Sequence, residues 1–274
     1  MGKRTLLASI VCLSMAASGV QPERIISLGP ALTESLFLLG AGDRVVGVTV
    51  YCKRPPEARK KEKVGTVMEV DVEKIVGLKP DLVLATSLTD PKDVEKLKDL
   101  GINVITFPNP KSFSQICEQF LKLGRLVGRE REAQDIVRKA RAQVDSIAKI
   151  VEGLPKPKVF VQVGAKPLFT ITKGSFIDDF IKLAGGKNIA EDAKTGLYSR
   201  EKVLQANPDV IIITTMGIVG EEEKRTWHKY KTLSAVKNNR IYVVDSYALC
   251  SPTPLTFAET LKELAELLHP EIGR

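Results

Sequence analysis

GREREAQDIVRKARAQVDSIAKIVEG, Gly128 to Gly153, lies close to the middle of the chain. Its apolar residues Ala133, Ile136, Val137, Ala140, Val144, Ile147, Ala148 and Val151 recur at steps of three and four, which puts them on one side of a single α-helix. Arg131, Asp135, Arg138, Lys139, Arg141, Asp145 and Lys149 fall on the other side and belong in water. No proline interrupts the run, and Gly153, Pro155 and Pro157 end it. At 1.5 Å per residue such a helix is roughly 35 Å long, the width of a small domain. With similar material before and after it, the helix reads as a spine joining two lobes. The competing reading is an ordinary helix packed in one large domain.

Upstream of the spine, Arg24 to Leu28 is a short apolar strand that Gly29-Pro30 turns into a helix from about Ala31 to Leu39. Val45 to Thr49 is a second strand, followed by the loop Tyr51-Cys52-Lys53-Arg54-Pro55-Pro56, which its prolines bar from helix or central strand. Helix from Val70 to Leu78, strand from Asp81 to Ala85, helix from Pro91 to Leu100 and strand from Asn103 to Phe107 follow. Ser112 with Gln115 forms a capping box for the next helix. Downstream the pattern restarts with a strand at Lys158 to Val163 and a helix capped by Ser175 and Asp178 and ending at Ala184-Gly185-Gly186. A helix at Glu201 to Ala206, strands at Val210 to Thr214 and Ile241 to Asp245, and a closing helix at Pro254 to Leu268 complete it.

This alternation predicts an α/β fold of two related lobes, each a mainly parallel sheet flanked by helices, joined by a single long bridging helix. The expected boundaries are 21–127 for the first lobe, 128–153 for the bridge and 154–274 for the second lobe. EKIVGLKPDLVLA (Glu73 to Ala85) aligns with EKVLQANPDVIII (Glu201 to Ile213), and LGAG at Leu39 has its counterpart in LAGG at Leu183, so the lobes read as a duplication.

Hydrophobic residues make up 43% of the 274 and charged residues 27%, values that suit two folded lobes with their own cores. Residues 1–18 read as a secretory signal peptide: Lys3 and Arg4, a mostly apolar run, then Ala16, Ala17 and Ser18. The expected location is therefore extracytoplasmic. Lipid anchoring at Cys12 is the lesser alternative, because Ser9-Ile10-Val11 matches a lipidation box poorly. Losing the signal lowers the formal charge from +8 to +6. Basic residues are scattered and not interleaved with aromatics, which is no nucleic-acid surface, while an anionic ligand or membrane stays open. Cys52, Cys117 and Cys250 then remain, an odd set without C-x-x-C, which argues against a disulfide framework or zinc site. Cys117 sits in an apolar run as a buried thiol, and a Cys52–Cys250 bridge is a minor option.

Enzyme signatures are missing. No phosphate-binding loop, dinucleotide fingerprint or nucleophile elbow occurs. Of the two histidines, His269 precedes Pro270 at a helix terminus and His228 lies in the polar, exposed stretch EEEKRTWHKYK. The chain is read as a non-enzyme without its own cofactor or metal ligands. In parallel sheets, ligands sit beyond the carboxyl ends of the strands. Strand-end loops offer Pro30, Tyr51, Met68, Thr86 and Phe107 from the first lobe, and Lys166, Phe169, Tyr198, Met216 and Tyr247 from the second. Aromatics are only 5% of the chain, so their presence on these loops suggests a cleft for a bulky, partly apolar small molecule.

The series RIISLGPALTESLFLLGAGDRVVGV, YCKRPPEA, VDVEKIVGLKPDLVLA and LKDLGINVITFP, then VFVQVGAKPLFT, LAGGKNI, SREKVLQANPDVIII and RIYVVDS, resembles the extracytoplasmic binding proteins of ABC importers for cobalamin, ferric siderophores and haem. The resemblance implies a monomeric carrier that takes a metal chelate between its lobes and passes it to a permease with its ATPase subunits. Any metal would arrive inside the chelate. Tyr51 and Phe169 match cleft-lining positions of the cobalamin branch, and Glu73 and Glu201 match acidic residues that dock on permease arginines. Val67 and Thr86 stand where cobalamin binders place tryptophans, as does the Gly196-Leu197-Tyr198 region, which leaves siderophore or haem open. Lys166, Lys173, Arg200 and Lys202 are candidates to meet an anionic chelate. A cleft enzyme or a ligand sensor on the same architecture are the rival functions.

Overall fold

The computed structural model describes residues 21–215 and 220–273. The first lobe runs β1 (Ile25–Ser27), α1 (Pro30–Leu38), β2 (Val45–Val48), β3 (Glu62–Lys63), α2 (Val72–Gly77), β4 (Leu82–Thr86), α3 (Pro91–Asp99) and β5 (Val104–Phe107). Two helices follow, α4 (Phe113–Leu126) and α5 (Glu130–Val151). The second lobe holds β6 (Lys158–Ala165), β7 (Leu168–Thr170), α6 (Phe176–Leu183), β8 (Lys187–Asn188), α7 (Arg200–Ala206), β9 (Val210–Thr215), α8 (Gly220–Trp227), α9 (Ser234–Lys237), β10 (Ile241–Asp245), α10 (Ser246–Cys250) and α11 (Pro254–Leu268). Pro30, Pro91 and Pro254 each occupy the first turn of a helix, where a missing N–H costs nothing.

The sheets repeat one topology. Strand order is β3-β2-β1-β4-β5 in the first lobe, all parallel, and β10-β9-β6-β7 with β8 also paired to β6 in the second. Thus β8, β6, β9 and β10 stand to one another as β2, β1, β4 and β5 do, and the antiparallel β7 is the addition. The Pro-Asp pair shared by the two aligned segments has one job in both. Asp81 accepts from the backbone N–H of Arg24 (2.8 Å) just before β1, and Asp209 accepts from that of Lys158 (2.9 Å) at the start of β6. Lys79 and Asn207, just before each Pro-Asp, share a left-handed backbone. Such coincidence of strain and bonding supports duplication.

Helix α5 presents Ala133, Val137, Ala140, Val144, Ile147 and Val151 to the interior. It packs along α11 and α4 and touches α6. A side chain at Gly124 would strike Ala133, so glycine is what lets α4 and α5 approach, and Gly128 turns one into the other at a φ of +67°. Only half of the capping box at α4 forms. Ser112 Oγ accepts from Gln115 N–H (3.2 Å), while Gln115 Oε1 accepts from Lys111 N–H (2.8 Å) instead of reaching the cap. Similarly Ser175 caps α6 through Ile177 N–H, whereas Asp178 is buried against Asn188 and Lys182.

The seam beside the spine is solid. Phe257 of α11 stacks on Phe113 of α4 (4.6 Å between centroids) and on Phe180 of α6 (3.8 Å). The N–H of Phe113 donates to Asp179 Oδ2 at 2.8 Å. A close-packed seam of this kind resists shear, so free and ligand-bound forms are expected to differ by an interlobe rotation of only about a few degrees. Spin-label distances across the cleft measure this, and a large hinge rotation on binding would refute it.

Candidate functional site

Because the strands of each sheet run parallel, their carboxyl ends lie along one edge, and the loops leaving those ends gather there. A cavity of about 610 Å³ lies between these loops. Gly29-Pro30 after β1, Tyr51 after β2, Thr86 at the end of β4 and Phe107 at the end of β5 build one wall, with Val67 and Met68 beside them. The α10 segment after β10, from Ser246 to Pro254, closes the opposite side with Tyr247. Ile116, Phe120 and Leu123 of α4 and Phe176 of α6, all buried, also line it. Met68 at 66% and Leu88 at 63% exposure are the most exposed large apolar side chains among the described residues, and both line the mouth. Lys53 is the one charged lining residue among those described.

One residue unnoticed in the sequence ties the two walls together. Arg54 donates from Nη2 to the carbonyl of Tyr247 (3.1 Å), its guanidinium lies 4.9 Å from the centre of the Tyr247 ring, and it pairs with Glu34 of α1 at 3.3 Å. Burial raises the Glu34 pKa above the ordinary carboxylate value, Arg54 opposes that rise, and Glu259 of α11 adds to it. Arg54→Ala should cost about 2 kcal/mol in urea unfolding, less than a fully buried pair because the guanidinium keeps some water. A carboxyl whose folded pKa is raised binds its proton more tightly in the native state, so its contribution is present at low pH and is lost as pH rises through the folded pKa. Without Arg54 that loss should deepen, and adding Glu34→Gln should remove it; a flat pH profile for the single variant would count against the pairing.

The structure brings Pro30, Tyr51, Met68, Thr86, Phe107 and Tyr247 to the cavity, with Val67. It does not bring Lys166, Phe169 or Tyr198 there. Lys166, in the turn between β6 and the antiparallel β7, borders a separate recess with Glu222 and Glu223. Phe169 packs on Gly164 and Gly196 and is 41% exposed. Tyr198 lies 5.8 Å from the Phe160 ring in the second lobe's own core, where burial raises its pKa. Met216 falls outside the described residues, as do Cys12 and the signal stretch 1–18. The other basic candidates are committed: Lys173 pairs with Asp192, Lys202 lies over Tyr198, and Arg200 pairs with Glu223 at 2.6 Å. The cavity therefore lacks the cationic lining that these residues would have supplied.

The thiols do not bridge. Cys52, Cys117 and Cys250 are free. Cys52 Sγ accepts from the Thr33 hydroxyl (3.1 Å), while Cys250, on the cavity wall, has Thr214 Oγ1 at 3.7 Å, and its burial raises the thiol pKa.

Residues 25–248 match the family model described as periplasmic binding protein. The chain belongs to the periplasmic binding protein family. It is 36% identical over 262 residues to YvrC of Bacillus subtilis, named an uncharacterised ABC transporter substrate-binding lipoprotein, covering 92% of this chain and 81% of that one. Solved structures share its fold, two of them at 28% and 31% identity. The periplasmic vitamin B12 binding protein BtuF of Vibrio cholerae superposes with a TM-score of 0.79 at 28% identity over 92% of this chain and 99% of that one. A possible iron-binding periplasmic solute-binding protein of Staphylococcus epidermidis gives 0.80 at 31% identity over 91% and 99%.

In this periplasmic binding protein the two glutamates singled out by the duplication sit alike. Glu73 and Glu201 are each the second residue of their helix, exposed, behind a capping side chain from Asp71 or Ser199. Each helix precedes a parallel strand, β4 or β9, so its N-terminus lies at the carboxyl edge of its sheet, the edge that carries the cavity. Bonds from its own backbone N–H and from the Ser199 hydroxyl lower the Glu201 pKa.

A buried network backs the second of them. Glu223, 5% exposed, takes Arg200 Nη2 and Gln162 Nε2 (2.8 Å) on one oxygen, and Gln162 Oε1 accepts the indole N–H of Trp227 at 2.7 Å. Arg200 also lies 4.6 Å from the Trp227 ring centre. The stretch around His228 is thus not simply exposed: Trp227 and Glu223 of α8 face inward because Gln162 of β6 and Arg200 of α7 give their polar atoms partners.

Proposed function

We propose that this protein captures a metal-chelate nutrient, a ferric siderophore, haem or a cobalamin-type corrinoid, in the cavity between its lobes and hands it to an ABC permease with ATPase subunits. The observation that carries this reading is a largely apolar cavity walled by strand-end loops of both lobes. The relatives named for vitamin B12 and for iron support the ligand class. The protein does no covalent chemistry and holds no metal or cofactor of its own; the metal arrives inside the chelate. It works as a monomer outside the cytoplasm after residues 1–18 are removed, with lipid attachment at Cys12 as the lesser form. Pro30, Tyr51, Met68, Thr86 and Tyr247 contact the ligand, and Glu73 and Glu201 dock on the permease.

Calorimetric titration with cobalamin, cobinamide, haem and ferric siderophores should give saturable one-to-one binding for at least one of them. Tyr51→Ala should weaken that binding by about tenfold, the loss of one half-buried ring. Failure of the whole panel would remove the proposed ligand class.

A further inference from the structure

Arg54 and Glu34 stand outside the cavity lining, although Lys53 and Ser35 beside them in sequence belong to it. The loop that carries Arg54 is braced. Buried Cys52 accepts from the Thr33 hydroxyl, Arg59 Nε donates to the Lys53 carbonyl at 3.0 Å, and Pro56–Lys60 forms a short 3₁₀ helix around buried Ala58. On the second lobe the backbone around Tyr247 is fixed as well. Asp245 Oδ1 accepts from the Tyr247 N–H at 2.6 Å, Thr260 Oγ1 donates to the Ala248 carbonyl at 3.3 Å, and Leu249 is buried. The Tyr247 side chain has no such polar hold of its own, since its hydroxyl is buried without a hydrogen-bond partner among the described residues. Burial raises the phenol pKa, and the nearby backbone N–H of Lys53 opposes that only in part. What meets the ring is the Arg54 guanidinium, 4.9 Å from its centre and held there by the Tyr247 carbonyl and Glu34.

We propose that Arg54 is a positioning residue for ligand capture: it fixes the Tyr247 ring in the cavity wall before the ligand arrives, without touching the ligand itself. This rests on the capture reading given above, in which Tyr247 contacts the ligand. A ring ordered in advance spares the ligand the entropy of ordering it. In calorimetry with haem, cobinamide and a ferric siderophore, Arg54→Ala should raise the Kd of whichever of them the wild type binds by about fivefold, at unchanged stoichiometry. In a Tyr247→Ala background the same change should move Kd by less than about twofold. Arg54→Lys, which keeps a charge for Glu34 but loses the planar group over the ring, serves where the alanine variant has a lowered Tm. A purely structural role would lower the stoichiometry and leave Kd alone, and a direct contact with the ligand would weaken binding in both backgrounds; either result overturns the proposal. A measurement without ligand keeps the two claims apart. The fluorine NMR signal of 3-fluorotyrosine at position 247, assigned by its loss in Tyr247→Phe, should move toward the free amino acid's position and narrow in Arg54→Ala. An unchanged signal overturns the positioning role even if chelates bind. A changed signal with no chelate bound upholds Arg54 as what holds the ring and overturns chelate capture instead.

Discussion

Reversing both Glu73 and Glu201 to lysine is expected to reduce permease-dependent uptake to background while ligand affinity moves by less than about twofold, since neither residue lines the cavity. The physical basis is symmetry of placement. Each glutamate is the second residue of a short helix on a duplicated unit, exposed, on the edge of its lobe that carries the cavity mouth. A partner presenting one cation to each lobe would meet both at once, and reversal replaces two attractions by two repulsions. Either single reversal should leave intermediate uptake, and added salt should weaken association of the wild type. Glu95→Lys on α3, equally exposed but outside the duplicated pair, serves as the control. The lowered Glu201 pKa also sets a sign: its carboxylate stays charged into acid below the ordinary glutamate value of about 4.3, so its share of docking should persist there. Normal uptake by the double reversal would end the docking assignment.

The largest loss of stability is expected at Trp227. Replacing it by alanine should cost about 3–5 kcal/mol in urea unfolding, the range for removing a fully buried aromatic. Three effects add. The indole leaves a void beside Phe160 and Tyr230, with ring centres at 5.8 Å from each; Gln162 Oε1 loses its donor; and Arg200 loses the ring it lies over. Glu223 then stays buried with a less well-held partner. Because Arg200 opens α7 next to Glu201, the damage should spread: amide exchange should quicken across α8 and at the start of α7, while the first lobe stays protected. Trp227→Phe, which keeps most of the packing, should lose less. If exchange quickened equally in both lobes, the network would not be the local device described here.

Much of the scaffold is legible in the chain because helices and parallel strands announce themselves by local periodicity. The spine, the alternation of elements and the duplication all rest on residues close in sequence, and the repeated Pro-Asp turn marks each unit by a bond its carboxylate makes to the first strand. A residue's state is not legible where it depends on a distant partner. Lys166, Phe169 and Tyr198 are strand-end residues in sequence, yet Lys166 borders a separate recess beside Glu222 and Glu223, and Tyr198 packs by Phe160. Arg200 reads in sequence as a candidate to meet an anionic chelate, because the Glu223 that pairs with it lies 23 residues away. Arg54 was invisible for the same reason, its partner Tyr247 lying 193 residues further on.

By itself, then, the sequence determined the two-lobed α/β architecture, the helix between the lobes and the matched positions of the two glutamates, all properties of short-range pattern. Only the tertiary structure decided which loops share one cavity and which charges are spent inside the protein. Those outcomes follow from packing and from pairing of charges over long sequence distances. Periodicity carries no record of them, since burial of a charged group is tolerated only where a particular partner arrives to meet it.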